Sequence, residues 1–441
     1  MFNIFARASL RNGTWGMNLT GNPFVDVGLG IAASKAGRTS VKDLSREDLH
    51  HGVHYLHASI QKLRNLKILA SFWVNNPFMG KNLGQMPKFE RYLQDLEAGH
   101  LPAKAGYCQI CGQSPVINEV AAGCQADRCW FPLAGSGDSD PCTLPGLRSK
   151  AVCAACLAAV VVLPLGCRSC PDGPYFIHIT EPDLQVQAVS EASAALGAAL
   201  SVNARDGITH GTALRGRVAL LDIVSGSRLW DHSQPGHITR LPQQGAAIIS
   251  FNNNGQGACF NELYLPAQAL EFFGAIAEAG VRRVFVGWVE EIQRRFRKES
   301  ALYFEQLCDC VEQRRSFAPL LLALVKGPGD RQRQLGSEER KVLQIYEDIA
   351  LQKKERFDAL QGIANKIEQM PERYGDSFVK QLGNLGSKRT LLELIREFVK
   401  RESTGLKITA SELRAIDNGP GNEVASLLYL LCKTEKDGGD E

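Results

Sequence analysis

The sequences CQICG (residues 108–112) and CAAC (residues 153–156) each place two cysteines three positions apart. Such a pair forms a tight turn that directs both thiols into one pocket, and Gly112 suits the backbone of a turn. Two pairs supply four sulfur atoms, the tetrahedral ligand set that structural zinc prefers, with Zn–S bonds of about 2.3 Å. The sequence therefore predicts a structural Zn²⁺ site with four ligands: Cys108, Cys111, Cys153 and Cys156.

Further cysteines leave the ligand assignment open. The two pairs are farther apart than the ~15–20 residues of common zinc ribbons. Cys167 and Cys170 form another pair, which can replace Cys153 and Cys156. A disulfide-rich segment is disfavoured, because paired Cys-x-x-Cys units in a chain without an evident export signal indicate metal binding. A second metal site is an alternative, because five more cysteines lie in this region: Cys124, Cys129, Cys142, Cys167 and Cys170.

The composition of the 441-residue chain is that of an ordinary folded protein, with 44% hydrophobic and 22% charged residues. Its length allows about three domains of ~150 residues. A net charge of only +3 argues against a general nucleic-acid coat and leaves room for local basic surfaces. No apolar run reaches the ~20 residues of a membrane-spanning helix. We expect a cytoplasmic protein with reduced thiols and no membrane contact.

Turn signals and hydrophobic periodicity divide the chain into four parts. We predict an α+β fold, in which a mixed N-terminal α/β domain contains an inserted zinc-ribbon-like lobe and is followed by a C-terminal helical bundle. The linker to the bundle is the sequence GPGD at residues 327–330. The predicted parts are residues 1–104 (N-terminal α/β part), 105–172 (zinc-binding lobe), 173–325 (rest of the α/β domain) and 330–441 (C-terminal helical bundle).

Local patterns predict individual elements. The turn-rich first forty residues indicate short strands and loops. Ser45 starts a capping box before a helix with apolar residues at helical spacing: Leu49, Val53, Leu56, Ile60, Leu63 and Leu66. A helix over 183–200, one that begins at Pro266 and helical periodicity from 335 to 367 are also predicted. The predicted strands are PYFIHI (174–179), RVALLDIV (217–224) and AAIISF (246–251).

The chain carries no recognisable catalytic motif. It lacks a P-loop, a complete dinucleotide fingerprint, H-E-x-x-H and G-x-S-x-G. His50, His54 and His57 share another face of the helix that Ser45 starts, but no carboxylate or cysteine accompanies them, which favours a polar surface over a metal site. We therefore expect a protein that is not an enzyme.

A polar loop follows the strand AAIISF. Asn254-Gly255 is typical of a hairpin turn, because both residues readily take positive φ. Asn and Gln side chains can also pair bidentately with adenine, with about 1–3 kcal/mol of discrimination per pair. Both interpretations hold if the turn presents its amides outward. The amides in question are those of Asn252, Asn253, Asn254 and Gln256.

Three separated segments resemble one protein family. They are LTGNPFVDVGLG (19–30), CxxCG…CAACLAAVVVLPLG (108–166) and SFNNNGQGACFNELYLP (250–266). Together they resemble the large subunit of a type I-B CRISPR Cascade effector complex, in particular its branch with two CXXC pairs. The resemblance covers roughly residues 15–290. The C-terminal remainder of the chain agrees with the family in general character, since these subunits end in a helical bundle. In this subtype, the resemblance implies, such a bundle can also be produced separately by internal translation.

The resemblance implies a non-catalytic subunit at the 5′-handle end of the guide RNA. Such a subunit recognises the protospacer-adjacent motif on target duplex DNA, helps R-loop formation and recruits the helicase-nuclease, or transposition proteins in a transposon-associated system. Its other partners are the backbone, 5′-handle-capping and small subunits. Guide pairing supplies most of the sequence specificity in RNA-guided effectors. The loop amides are the candidates for base contacts, and the candidates for phosphate contacts are Lys62, Arg64, Lys67, Arg294, Arg295 and Arg297.

Two other classes of function stay open at this point. A zinc-stabilised nucleic-acid enzyme would cleave its substrate as the purified chain alone. A purely structural scaffold would bind nucleic acid in a salt-sensitive way that ignores flanking sequence.

Overall fold

A computed structural model shows an α+β fold made of many helices and a small sheet. The chain divides into two compact units. Unit 1 comprises Met1–Ala213 and Ile238–Glu262, and unit 2 comprises Leu214–His237 and Leu263–Glu441. The structure describes residues 17–65, 72, 91, 94–100, 103–113, 116–117, 130–134, 151–202, 214–231, 236–253, 258–296, 299–326, 335–382, 385, 388–401, 404–417 and 420–432.

The described part of unit 1 combines helices with short strands. The helices are α1 (Pro23–Lys35), α2 (Arg46–Asn65), α3 (Ala154–Val161) and α4 (Pro182–Val202). The strands are β1 (Ala103–Lys104), β2 (Val116–Ile117), β3 (Arg168–Cys170), β4 (Gly173–His178), β5 (Ala246–Asn252) and β6 (Cys259–Leu265). β1 pairs with β2, and the larger sheet has the order β3-β4-β5-β6, with antiparallel pairing of β3 with β4 and of β4 with β5.

Helix α1 lies at the centre of unit 1, and the prediction of short strands and loops there is wrong. Asn22 begins the helix, because its side-chain oxygen accepts hydrogen bonds from the N–H groups of Phe24 and Val25. The buried Asp26 carboxylate accepts the N–H of Gly21 at 2.9 Å and lies 3.1 Å from Nε2 of His178. Every residue from 24 to 33 is buried. A helix that is apolar on all sides shows no amphipathic period in the sequence.

Other predicted elements of unit 1 are confirmed. The Ser45 hydroxyl accepts the Asp48 N–H at 3.1 Å, while the Asp48 carboxylate accepts the Ser45 N–H at 2.9 Å, so the capping box forms. The strands at 174–179 and 246–251 and the helix at 183–200 match β4, β5 and α4. In the part of α2 whose burial the structure describes, the predicted apolar face is buried: Leu49, Val53, Leu56, Ile60 and Leu63.

The described part of unit 2 consists mainly of helices and also contains the end of β6. Its helices are α5 (Arg217–Gly226), α6 (Ala267–Glu278), α7 (Arg282–Arg295), α8 (Ser300–Gln313), α9 (Ala318–Lys326), α10 (Ser337–Ile345), α11 (Lys354–Glu368), α12 (Glu372–Leu382), α13 (Lys388–Lys400), α14 (Ala410–Asp417) and α15 (Gly421–Cys432). The prediction of a strand at 217–224 is wrong, because a short apolar run suits a buried helix as well as a buried strand. Pro266 directly precedes α6.

The helical run predicted from 335 to 367 is interrupted. After α10 the chain makes a π-helical turn at Tyr346–Ala350, and Gln352 then takes a positive φ of 55°. Tyr346 is fully buried, and its ring stacks on Phe317 with 3.8 Å between centroids. Helices α6 to α9 therefore belong to the same compact unit as the predicted bundle, and the predicted linker at 327–330 lies outside the described residues.

Candidate metal centre

The first cysteine pair lies on a turn that backbone hydrogen bonds define. The Cys108 N–H donates to the Gln113 carbonyl at 2.7 Å, and the Gly112 N–H donates to the Cys108 carbonyl at 2.9 Å. Gly112 has φ of +72°, a left-handed conformation that glycine adopts without steric cost. The sequence CQICG therefore forms the predicted tight turn.

The second pair begins helix α3. The Cys153 sulfur is the helix cap and accepts the Cys156 N–H at 3.5 Å. Gln109 ties this segment to the first turn, since its N–H donates to the Ala151 carbonyl at 2.8 Å and its side-chain oxygen accepts the Ala151 N–H at 2.9 Å. The contribution of Gln109 was not visible in the sequence, because its partner lies 42 positions away.

The four predicted ligands meet at one point. The sulfur atoms of Cys108, Cys111, Cys153 and Cys156 all lie within 4.8 Å of one another. Those of Cys111 and Cys153 are 3.6 Å apart, close to the ~3.8 Å between sulfurs of a tetrahedral zinc site with ~2.3 Å bonds. Cys111 is half-buried, and the other three are buried. All the described cysteines are free thiols rather than disulfides. The arrangement can hold one metal ion.

The positions of the sulfur atoms, rather than the pKa values of the thiols, separate these cysteines from the alternative pair. The pKa of Cys108 is lowered, because its thiolate accepts hydrogen bonds from Cys111 and also from Cys153 and Cys156. The thiolate is the form that binds metal. Cys153 and Cys156 donate these hydrogen bonds, which raise their own pKa, and burial raises the pKa of Cys167 and of Cys170. Of the described residues, only the four predicted ligands form a metal-binding group. Cys124, Cys129 and Cys142 lie outside the described residues.

The loop predicted to contact bases begins inside the core. Asn253 is 1% exposed, and its amide nitrogen donates to the Phe72 carbonyl at 2.7 Å while its oxygen accepts the Leu133 N–H at 3.2 Å. The expectation that Asn253 contacts bases is therefore corrected, since both of its polar atoms are engaged within the protein. Asn252 is half-buried, and Asn254 and Gln256 lie outside the described residues.

The predicted basic residues that the structure describes belong to both units, Lys62 to unit 1 and Arg294 and Arg295 to unit 2. Lys62 is exposed on α2, while Arg295 is bound internally, with 2.7 Å to the Glu291 carboxylate and 2.8 Å to the Leu324 carbonyl. Arg294 is exposed and lies 3.6 Å from Glu291. The Arg64 side chain, Lys67 and Arg297 lie outside the described residues.

The histidine face of α2 has a carboxylate partner that sequence reasoning missed. Nδ1 of His54 lies 2.7 Å from the Glu97 carboxylate, an ion pair when the imidazole is protonated. Glu97 follows His54 by more than forty positions, so spacing gave no signal of this contact.

Among the helices that the structure describes, none has both the length and the apolar composition needed to cross a lipid bilayer. No protein-family model, no curated protein and no solved structure matches this chain. The cysteine cluster is thus the chemical feature on which a functional assignment must be built.

Proposed function

We propose that this chain is the non-catalytic large subunit of a type I-B CRISPR Cascade complex, with a structural zinc ion in the four-cysteine site. The observation that carries the proposal is the cysteine cluster, since this family branch is marked by two CXXC pairs. Four sulfurs that close on one ion connect chain segments more than forty residues apart. A zinc ion with no open coordination position supplies folding energy rather than catalysis.

The three segments that resemble the family also pack on one another. The ring of Phe24, in the first segment, lies 5.1 Å from that of Phe251, in the third, in an edge-to-face arrangement. Gly28 of the first segment contacts the backbone of Ala159 in the second. Segments distant in sequence thus share one core, which supports reading the three resemblances as one.

In the proposed role, guide RNA pairing selects the target while this subunit reads the protospacer-adjacent motif on the duplex. Asn252, Asn254 and Gln256 are the proposed base-contacting amides, and exposed Lys62 and Arg294 are proposed phosphate contacts. The subunit helps R-loop formation and recruits the helicase-nuclease, or transposition proteins in a transposon-associated system. Its partners are guide RNA, target DNA and the backbone, 5′-handle-capping and small subunits.

The first experiment is co-expression with guide RNA and the backbone subunits, followed by affinity purification. We expect a stoichiometric ribonucleoprotein that binds duplexes carrying one flanking motif from a randomised library. The Asn252→Ala, Gln256→Ala double variant should weaken binding to the preferred duplex by roughly tenfold or more and spare binding to single-stranded target. A variant that keeps full motif discrimination would contradict the loop assignment.

Asn261→Ala is the matched control. Asn261 is also a half-buried amide next to the loop, but its nitrogen donates to the Ser250 hydroxyl at 3.3 Å, and it has no proposed contact with DNA. Motif discrimination should survive this change. Salt-sensitive binding that ignores the flanking motif would favour a structural scaffold instead, and cleavage by the purified chain alone would favour an enzyme.

A further inference from the structure

A buried amide joins three distant parts of unit 1. Asn253 follows β5 and hydrogen-bonds both Phe72 and Leu133, which precede it by 181 and 120 positions. The Phe72 ring also packs edge-to-face on Phe251 at 5.3 Å. A buried amide left without its partners costs about 1–3 kcal/mol, so these bonds fix the start of the loop strongly.

Leu133 has an unusual backbone conformation. Its φ is +64°, and its side chain is fully buried. A bulky residue in this left-handed region is rare and costs about 1–3 kcal/mol unless its surroundings enforce it. The hydrogen bond from the Leu133 N–H to Asn253 and the burial of Trp130 and Phe131 provide that enforcement. The turn at residues 130–134 and Asn253 therefore stabilise each other.

This turn lies between the two halves of the metal centre in the chain. Residues 130–134 belong to the segment that runs from Cys111 to Cys153, and one ion bound by all four thiolates would close that segment into a loop. Close to the second pair, the Ile117 N–H donates to the Val152 carbonyl at 2.8 Å. Closing a loop removes conformational entropy from the open state, so a bound metal favours every contact that needs the closed segment.

We propose that metal occupancy controls the end of β5 and the position of Asn253, through the contact between Leu133 and Asn253. Metal binding stabilises the turn at 130–134, the turn stabilises Asn253 through their hydrogen bond, and Asn253 stabilises the end of β5. Because such coupling is reciprocal, anything that stabilises this segment also tightens metal binding. This linkage also makes recognition of the protospacer-adjacent motif depend on bound metal, a consequence that rests on the proposed function.

Hydrogen exchange followed by mass spectrometry tests the linkage without DNA. The full-length zinc-loaded protein is compared with protein treated with a chelator, in peptides that cover Ala246–Asn252 and residue 253. We expect chelation to raise exchange at the end of β5 by roughly tenfold, the effect of losing one buried hydrogen bond. Peptides from Pro182–Val202, in the same unit, serve as the reference and should change less. A uniform rise across unit 1 would overturn a specific linkage.

The variant Asn253→Leu removes both hydrogen bonds while preserving volume and burial. It should raise exchange at the end of β5 with zinc still bound, and chelation should then add less than it does in the wild type. Asn261→Leu is the control and should leave the response to chelation unchanged. If chelation raises exchange at the end of β5 by the same factor in Asn253→Leu as in the wild type, the proposal is overturned. If Asn253→Leu does not fold, the comparison of zinc-loaded with chelator-treated wild-type protein decides.

Motif binding distinguishes this inference from the proposed function. Metal-dependent exchange without motif binding in the assembled complex would leave the linkage intact and remove the DNA-reading role. Motif binding that persists with unchanged exchange after chelation would keep the function and overturn the linkage.

Discussion

At the scale of single residues, Gly28 marks the closest approach between α1 and α3. A β-carbon on Gly28 would lie 1.9 Å from the carbonyl oxygen of Ala159. The obstacle is backbone in a buried helix, which cannot move aside as a flexible side chain can. Ala159 belongs to the helix that Cys153 caps, so this contact places the second ligand pair against the centre of unit 1.

Gly28→Ala should therefore destabilise unit 1. Overpacking of this kind costs about 1–3 kcal/mol or more. A β-carbon on Gly197, also within a helix of unit 1, would meet nothing within 4 Å, so Gly197→Ala should stabilise by about 0.5–1 kcal/mol. Urea unfolding followed by circular dichroism measures both changes. Equal effects of the two substitutions would contradict the close contact.

Residue roles were predictable only where the signal was local. The four ligands follow from spacing within each pair, and the structure brings those four sulfurs together. The role of Asn253 did not follow, because its partners are a carbonyl and an N–H more than a hundred positions away. Residue type alone suggested base contacts, whereas burial assigns the side chain to internal hydrogen bonds.

At the scale of elements, the predictions succeeded for the amphipathic helix α2 and for two apolar strands, and they failed for apolar runs that form helices. The helical patterns of α2 and α4 were read correctly from sequence, and so were the strands β4 and β5, although almost all of their residues are buried. Helix α1 and the helix at Arg217–Gly226 were read as strands or loops, since continuous apolar runs carry no period. The π-helical turn at Tyr346–Ala350 depends on tertiary contacts of the Tyr346 ring and could not be read from periodicity.

The prediction at the scale of elements concerns the four-cysteine cluster, which joins the turn at residues 108–112 to helix α3. Cys108→Ser should abolish stoichiometric zinc in freshly purified, reduced protein, because a serine hydroxyl is a poor replacement for a thiolate. Cys259→Ser, a half-buried cysteine outside the cluster, should retain it. Elemental analysis measures the metal, and thermal unfolding should show a lower midpoint only for Cys108→Ser, since ligand binding contributes folding free energy. Wild-type protein without bound metal would contradict the site.

At the scale of the whole molecule, the compact units do not follow the predicted domain boundary. Helix α9 packs against α15, and the Phe272 and Phe317 rings contact Tyr346 at 5.0 and 3.8 Å. All of these belong to unit 2. The predicted boundary was placed at a Gly-Pro-Gly sequence, but such a sequence reports only a local break in secondary structure, whereas long-range packing determines which helices form a unit.

A separately produced bundle should therefore be unstable when it starts at residue 330. Such a fragment lacks Phe272, Phe317 and the whole of α9, which leaves the Tyr346 ring without its apolar contacts. A fragment of residues 263–441 keeps all of them and should unfold more cooperatively in a thermal melt followed by circular dichroism. A steep, reversible transition for 330–441 alone would contradict this view of unit 2.

The discontinuous course of unit 1 has a consequence for synthesis on the ribosome. Strand β5 pairs with β4 and carries Phe251 into the core, yet it is translated after residues 214–237, which belong to the other unit. Until that strand emerges from the exit tunnel, α1 and the cysteine turns have no complete sheet to cover them. The nascent N-terminal half therefore stays incompletely folded, with apolar surface exposed, until β5 has been translated. Chaperones that shield such surface should associate with it during translation.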